Sequence, residues 1–501
     1  INTTNNVAAW TLLSALTGYI TIEQPEFILK YFYTNVFNKK QIEGNLFSTV
    51  TKTVRNSCCN FDKDSQKKLF HDLFDALSKC SVPTILISEY VDICHVMTKE
   101  LGLVDEYNYQ WAGKIIKDGE SKLKGEIGCD LRDEELVKRI ILTMGNCLSI
   151  CPNILSCSTI APLLKNLVEK TSLAKHKAKG VKYWQGRASP QLKAAAVVTL
   201  GKISLQSHEI AKQLVPLFNN LLKASVQTEI RINTMNALRD LGARFPSITE
   251  PYIQNMCICL KDSDDTIQRR MLSLLIELIQ QDHFKLRYPI LFHLLVMLND
   301  TNMEIQKKTK SFIVNIVVAR NKNVMLQHFV SSFYHYNRLE VDSTSEFMMS
   351  YREEQLFTLA GYKQASQRHS IYKFMLKNMF GPQKLKATTN LCYDILDAMA
   401  EDEYIFKSNT EPLLEDTLYV LSIQDIRLTV EEIEVKSVCK EERVEIQQEV
   451  QESSLHIKKK VLSEIHKTIL IEVIVPTLVK LKRKLTQLKS KMTRNLRACL
   501  K

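Results

Sequence analysis

Thirteen cysteines and eleven histidines are the side chains in this 501-residue sequence best able to ligate a metal or to act as nucleophile and base. Their spacing supports neither role. Cys58-Cys59, Cys257-x-Cys259 and the i,i+4 pair Cys147/Cys151 never supply two CxxC halves that could close a tetrahedral zinc shell. Small apolar packing on helices is the expected use of these thiols. His328 and His335 belong to the aromatic run HFVSSFYHYN, where structural histidines are expected. No GxxxxGKS/T phosphate loop, GxGxxG turn, HExxH or GxSxG occurs. The sequence therefore predicts no catalytic residue, no metal and no cofactor.

Positive charge is what recurs. Lys193, Arg231, Arg269 and Lys307 stand 38 residues apart, and Asp262 and Asp300 repeat at the same spacing. Such a ladder admits two roles. A basic side chain at each step can bond a turn carboxylate such as Asp262 or Asp300 in its own or an adjacent repeat, tying units together. Residues at one repeat period can also project along one line and track a phosphate backbone. The neighbours Arg270, Lys308 and Lys310 are expected to face solvent. A second basic cluster lies between Lys170 and Lys193, with seven Lys or Arg, no carboxylate, and Tyr183 and Trp184 at its centre. Lys175, Lys177, Lys179, Lys182 and Arg187 could release counterions from nucleic acid while the aromatics stack on bases. A solvated linker would have the same composition.

The elements that carry these residues follow from an internal repeat. Segments 215–242, 251–279 and 289–317 share one plan of apolar helix, short polar turn and second apolar helix, with Leu222, Leu260 and Leu298 again 38 apart. A helical hairpin of this kind cannot bury both apolar faces alone, so neighbours must stack and share a core. Only 14 Gly and 12 Pro occur, too few for the frequent turns of sandwiches, barrels or propellers. The expected fold class is all-α, a HEAT-repeat α-solenoid, a superhelical array of hairpins with C-terminal docking helices. Degenerate helical repeats are expected over 1–172, a basic loop over 173–190, HEAT repeats of about 38 residues over 191–340 and further helical repeats over 341–426. An acidic linker over 427–457 and basic amphipathic helices over 458–501 complete the expected division.

Charge is unevenly placed. Residues 401–457 hold 15 acidic and 5 basic side chains, residues 458–501 hold 13 basic and 2 acidic, and the formal net charge is +12. In the tail, Leu478, Leu481, Leu485, Leu488, Met492, Leu496 and Cys499 form one apolar stripe at steps of three or four. Lys480, Lys482, Arg483, Lys484, Lys489, Lys491, Arg494 and Arg497 fill most of the remainder. The stripe predicts docking onto the solenoid or a partner, and DNA or the acidic segment could neutralise the cationic back. No apolar run reaches the roughly 20 residues of a membrane helix, since 469–479 contains Glu472 and Pro476. A soluble chain of a reducing compartment is expected, without a membrane partner.

The run AAAVVTLGKISLQSHEIAKQLVPLFNNLL, followed by PYIQNMCICLKDSDDTIQRRMLSLLIELI, resembles the D-type HEAT-repeat subunits of condensin, those of condensin II in particular. IYKFMLKNM, EPLLEDTLYVLS and the helices of 461–501 resemble the C-terminal region of the same subunits. Family members are much longer, so the chain is expected to be a part of one. The resemblance implies a non-enzymatic subunit that binds the kleisin chain, contacts the SMC ATPase heads and helps hold DNA during mitotic chromosome condensation, in the nucleus and on chromosomes. Two other helical-repeat classes stay open at this point: an importin-like transport scaffold, whose cargo surfaces are typically acidic whereas residues 1–400 here carry +11, and the helical arm of a larger kinase.

Overall fold

The computed structural model describes residues 3–38, 45–100, 110–126, 133–150, 157–169, 188–339, 349–401, 410–426, 460–461, 464–465 and 467–487. Among these there is no strand, and helices follow one another through short turns. The fold class is that expected, an all-α HEAT-repeat solenoid. No helix of the described residues is long and apolar enough to cross a membrane. The chain divides into two compact units, Ile1–Tyr252 and Ile253–Lys501.

In the first unit alternate helices make one continuous layer. Thr3–Leu16, Asn45–Ser57, Ile87–Glu100, Glu134–Ile150, Pro190–Ser204 and Thr228–Arg244 each pack on the next. Lys63–Ser78 and Gln110–Glu126 pack on each other beside this layer, and His208–Leu221 packs on Pro190–Ser204 and Thr228–Arg244. The closest approaches use glycine. A Cβ at Gly145 would lie 2.6 Å from Thr199 Oγ1, and one at Gly201 would lie 2.9 Å from Ala237 Cβ. Thr199 turns that proximity into a bond, its hydroxyl donating to the Ile141 carbonyl at 2.9 Å.

The second unit begins with two hairpins built alike. Ile253–Ile258 tightens into the 3-10 turn Cys259–Lys261 before Asp265–Gln280, and Tyr288–Val296 tightens into Met297–Asn299 before Met303–Phe312. The turns explain the recurring aspartates. Asp262 Oδ1 accepts from the Asp264 N–H and Asp300 Oδ1 from the Asn302 N–H, both at 3.0 Å. Asp264 and Asn302 then cap the next helix by accepting from Thr266 and Glu304 N–H at 2.9 Å, which satisfies donors that no helical carbonyl can reach. Leu222 and Leu260 are buried, but Leu298 is only half-buried, and Met297 beside it takes the fully buried place.

Further along, Phe329–Tyr336, Ala365–Lys377 and Glu411–Ser422 surround one buried carboxylate. Asp416 accepts from Arg368 Nε at 2.6 Å and Nη2 at 3.1 Å, from Asn337 Nδ2 at 3.0 Å and from the Tyr372 hydroxyl at 3.3 Å, with His369 Nε2 at 3.0 Å. Burial alone would raise this carboxyl, but the bonds from His369, Arg368 and Asn337 outweigh it and hold Asp416 below the ordinary carboxylate range.

Candidate nucleic-acid interface

The four residues of the basic ladder do not occupy equivalent places. Arg231 is buried and donates through Nε to the Leu222 carbonyl at 3.0 Å. It stands four residues past the N-cap Gln227, as Lys193 stands four past Ser189. In the next two hairpins that place belongs to Gln268 and Gln306, four past Asp264 and Asn302. Gln268 Nε2 donates to the Leu260 carbonyl and to Asp300 Oδ2, each at 2.8 Å, and Gln306 Nε2 donates to the Asp300 carbonyl. Gln66, four past Asp62, and Arg368, four past Gln364, repeat the device by donating to carbonyls that end the preceding segment. A side chain one turn into a helix thus ties off the carbonyls left bare at the end of the helix before it. Arg269 and Lys307 lie one residue further on, on the exposed side.

Asp300 does join neighbouring hairpins, through Gln268 and through Lys261 Nζ at 3.3 Å. Arg269 instead reaches Glu304 across the same boundary at 3.3 Å, with both side chains exposed. Asp262, the matching turn carboxylate, accepts within its own turn.

The exposed positions make the candidate surface. Arg269 and Arg270 on Asp265–Gln280 neighbour Lys307, Lys308 and Lys310 on Met303–Phe312, all exposed. Lys308 Nζ donates to Ser273 Oγ at 2.7 Å, a contact between the two helices. Five cations against Asp265, Glu277 and Glu304 leave these two helices positive. Helical period places such side chains outward, and clustered cations displace counterions from a phosphate backbone without reading bases.

The other two expected clusters are placed only in part. Lys175, Lys177, Lys179, Lys182 and Arg187 lie outside the described residues, as do Lys489, Lys491 and Arg494 and the acidic linker 427–457. On Val475–Gln487, Lys482 and Arg483 are exposed and Lys484 is half-buried. Leu481 is fully buried where this helix packs on Leu391–Asp397 and Ala398–Glu401, and Lys480 Nζ reaches Asp397 at 2.6 Å and Glu401 at 2.9 Å. The tail helix is therefore docked, and one of its cations is already neutralised by this protein's own carboxylates.

Among the described residues no three His, Cys, Asp or Glu side chains converge as a metal shell. Cys58, Cys94 and Cys257 are buried, and burial pushes their thiols up, away from the reactive thiolate. His293 and Glu353 face each other at 3.2 Å, both buried. Burial lowers the imidazole and raises the carboxyl, so both shifts oppose charge separation across this ion-pair distance.

Comparison with known proteins follows the chain from end to end. A family described as condensin-2 complex subunit D3-like HEAT repeats matches residues 133–222, the non-SMC mitotic condensation complex subunit 1 family matches 229–399, and a second condensin-2 D3-like HEAT-repeat family matches 424–501. Condensin-2 complex subunit D3 of Mus musculus is 26% identical over 96% of this chain, and D3-L of Xenopus laevis is 23% identical over 97%. The CAP-D3 subunit of Arabidopsis thaliana is 25% identical over 72%. The chain spans about a third of the length of these curated relatives, 33% of the mouse protein. With condensin D-type families matched in order along the hairpins and D3 relatives aligned across nearly all of it, the chain belongs to the condensin D-type HEAT-repeat subunits, on the condensin II D3 branch, and is a portion of such a subunit.

Proposed function

We propose that this chain is part of the non-catalytic scaffold subunit of condensin II, contributing to mitotic chromosome condensation in the nucleus by binding the kleisin chain, the SMC ATPase heads and double-stranded DNA. The observation that carries the DNA part is the strip of five exposed cations on two adjacent helices, Arg269, Arg270, Lys307, Lys308 and Lys310. The strip presents side chains only to a backbone, so binding is independent of base sequence. Membership of the family supports the kleisin and SMC partners, and the stacked hairpins supply the broad surfaces such partners require.

Two measurements test this. Purification of the full-length protein from dividing cells followed by mass spectrometry should return SMC and kleisin chains; nuclear transport factors in their place would overturn the reading. Fluorescence anisotropy of the chain with duplexes of unrelated sequence should give equal affinities that fall together with added salt. Affinity confined to one sequence would contradict the DNA part.

A further inference from the structure

The last described helix is apolar on two sides. Residues 467–469 are helical and run through the π turn Leu470–Ile474 into Val475–Gln487. One side is the docked face, with Leu481 fully buried, Thr477 buried and Leu478 half-buried. The other side carries Ile471, Val475 and Val479, which are 65%, 45% and 42% exposed, and Leu470 beside them is 51% exposed. A helix with one docked face is ordinarily polar on its back. Three branched aliphatic side chains at i, i+4 and i+8 make a straight ridge about 12 Å long, a shape that fits the groove of another helix. Aligned exposed aliphatics of this kind mark a docking surface.

Charge selects the occupant. At the far end of the ridge, Val479 and Pro476 share an open pocket with Ala400, Lys480, Arg483 and Lys484, and the exposed Lys482 lies on the same turn. At the near end, the exposed Glu472 follows Ile471. We infer that this face receives an amphipathic helix of a partner protein, with apolar residues along Ile471, Val475 and Val479 and carboxylates at the end that meets Lys482 and Arg483. DNA cannot satisfy the ridge, because phosphates offer nothing to aliphatic side chains. A flat anionic bilayer would have to meet Glu464 and Glu472 together with the cations, whereas a helix can set its carboxylates against the cationic end alone. Lys482 and Arg483 are shared with the DNA reading, and the ridge of Ile471, Val475 and Val479 is what separates the two.

The test uses the full chain and a labelled synthetic helix with leucines at i, i+4 and i+8 and glutamates at one end, followed by fluorescence anisotropy. Ile471→Glu with Val475→Glu, and separately Lys482→Glu with Arg483→Glu, should each weaken binding by about tenfold or more, as loss of central anchors or of paired charge does. The same helix with lysines for glutamates should not bind. Unchanged circular dichroism and thermal midpoints establish that the variants fold, and hydrogen exchange of the wild type should show protection over 470–483 on adding the helix. Equal affinity in the variants, or no saturable binding, overturns the proposal. So does a dimer in the ultracentrifuge that Ile471→Glu makes monomeric, which would give the face to a second copy. Binding to phosphatidylcholine–phosphatidylserine vesicles that Ile471→Glu with Val475→Glu abolishes would give it to a membrane.

Discussion

Arg231, Gln268 and Arg269 separate what the residue type suggests from what the position requires. Arg231 and Gln268 each cap a carbonyl inside the protein, whereas Arg269 exchanges water for one exposed carboxylate. A buried carbonyl left without its donor costs about 1–3 kcal/mol, and an exposed ion pair is worth at most about 1 kcal/mol. Arg231→Ala and Gln268→Ala should therefore each lower stability by about 1–3 kcal/mol in urea titrations, while Arg269→Ala stays within about 0.5 kcal/mol. An equal loss at Arg269 would restore the uniform 38-residue ladder. A second residue-scale expectation concerns pH. Burial lowers His335 to about 4 and His293 well below its ordinary value, so the folded protein binds fewer protons than the unfolded chain in acid. The stability they allow is complete above about pH 6.5, the unfolded histidine value, and is lost as pH falls towards 4. Glu353, raised by burial, works the opposite way, since its neutral form is favoured as pH falls. Replacing His335 by Gln should flatten the fall of the urea midpoint between pH 6.5 and 4; an unchanged slope would mean that His335 is protonated in the fold.

At the scale of elements, the hairpins were legible because a repeat forces equivalent places and the apolar period marks both helices of each. Their register was legible only to within one residue. From Arg231 to Gln268 is 37 positions and from Gln268 to Gln306 is 38, so matching basic side chains at a fixed 38 slides from the inner position to the outer one. Counting four residues from each N-cap finds the ladder, because the cap sets where the first turn points. Leu298 shows the same one-place slip, and Leu260→Ala should cost about 2–5 kcal/mol while Leu298→Ala costs less, since less of its surface leaves water. In the tail, Leu478 and Leu481 of the expected stripe lie on the docked face, and the rest of that stripe lies outside the described side chains. The preceding turns present aliphatics outward, where a π turn interrupts the 3.6-residue period. The Asp416 cluster joins residues up to 79 apart in sequence and has no local signature. Helix spacing gives a sharper test in the first unit. Gly145→Ala places a methyl group 2.6 Å from Thr199 Oγ1 between two packed helices, and overpacking there should outweigh the better helix propensity of alanine and destabilise by about 1–3 kcal/mol. A more stable variant would mean that Glu134–Ile150 and Pro190–Ser204 can separate freely.

For the whole molecule the question is which of three basic regions a duplex uses. Each phosphate neutralised releases counterions, so the dependence of log affinity on log salt changes by about 0.9 for each contact removed. Reversing Arg270, Lys308 and Lys310 to Glu removes three neighbouring cations from the strip on two adjacent helices, and the slope should flatten by about 2–3 with affinity falling equally for every sequence. Reversing Lys482 and Arg483 should have a smaller effect on the same helix where Lys480 is already held by Asp397 and Glu401. Lys175, Lys177, Lys179, Lys182 and Arg187, reversed as a third set, measure the contribution of the basic segment between Lys170 and Lys193. Losses that add across the three sets would indicate contacts made independently, because distant sites with no shared partner are additive. If the strip can be reversed without change in slope while the third set abolishes binding, DNA is held by the 175–187 segment, and the outward cations of the hairpins serve only to keep that surface solvated.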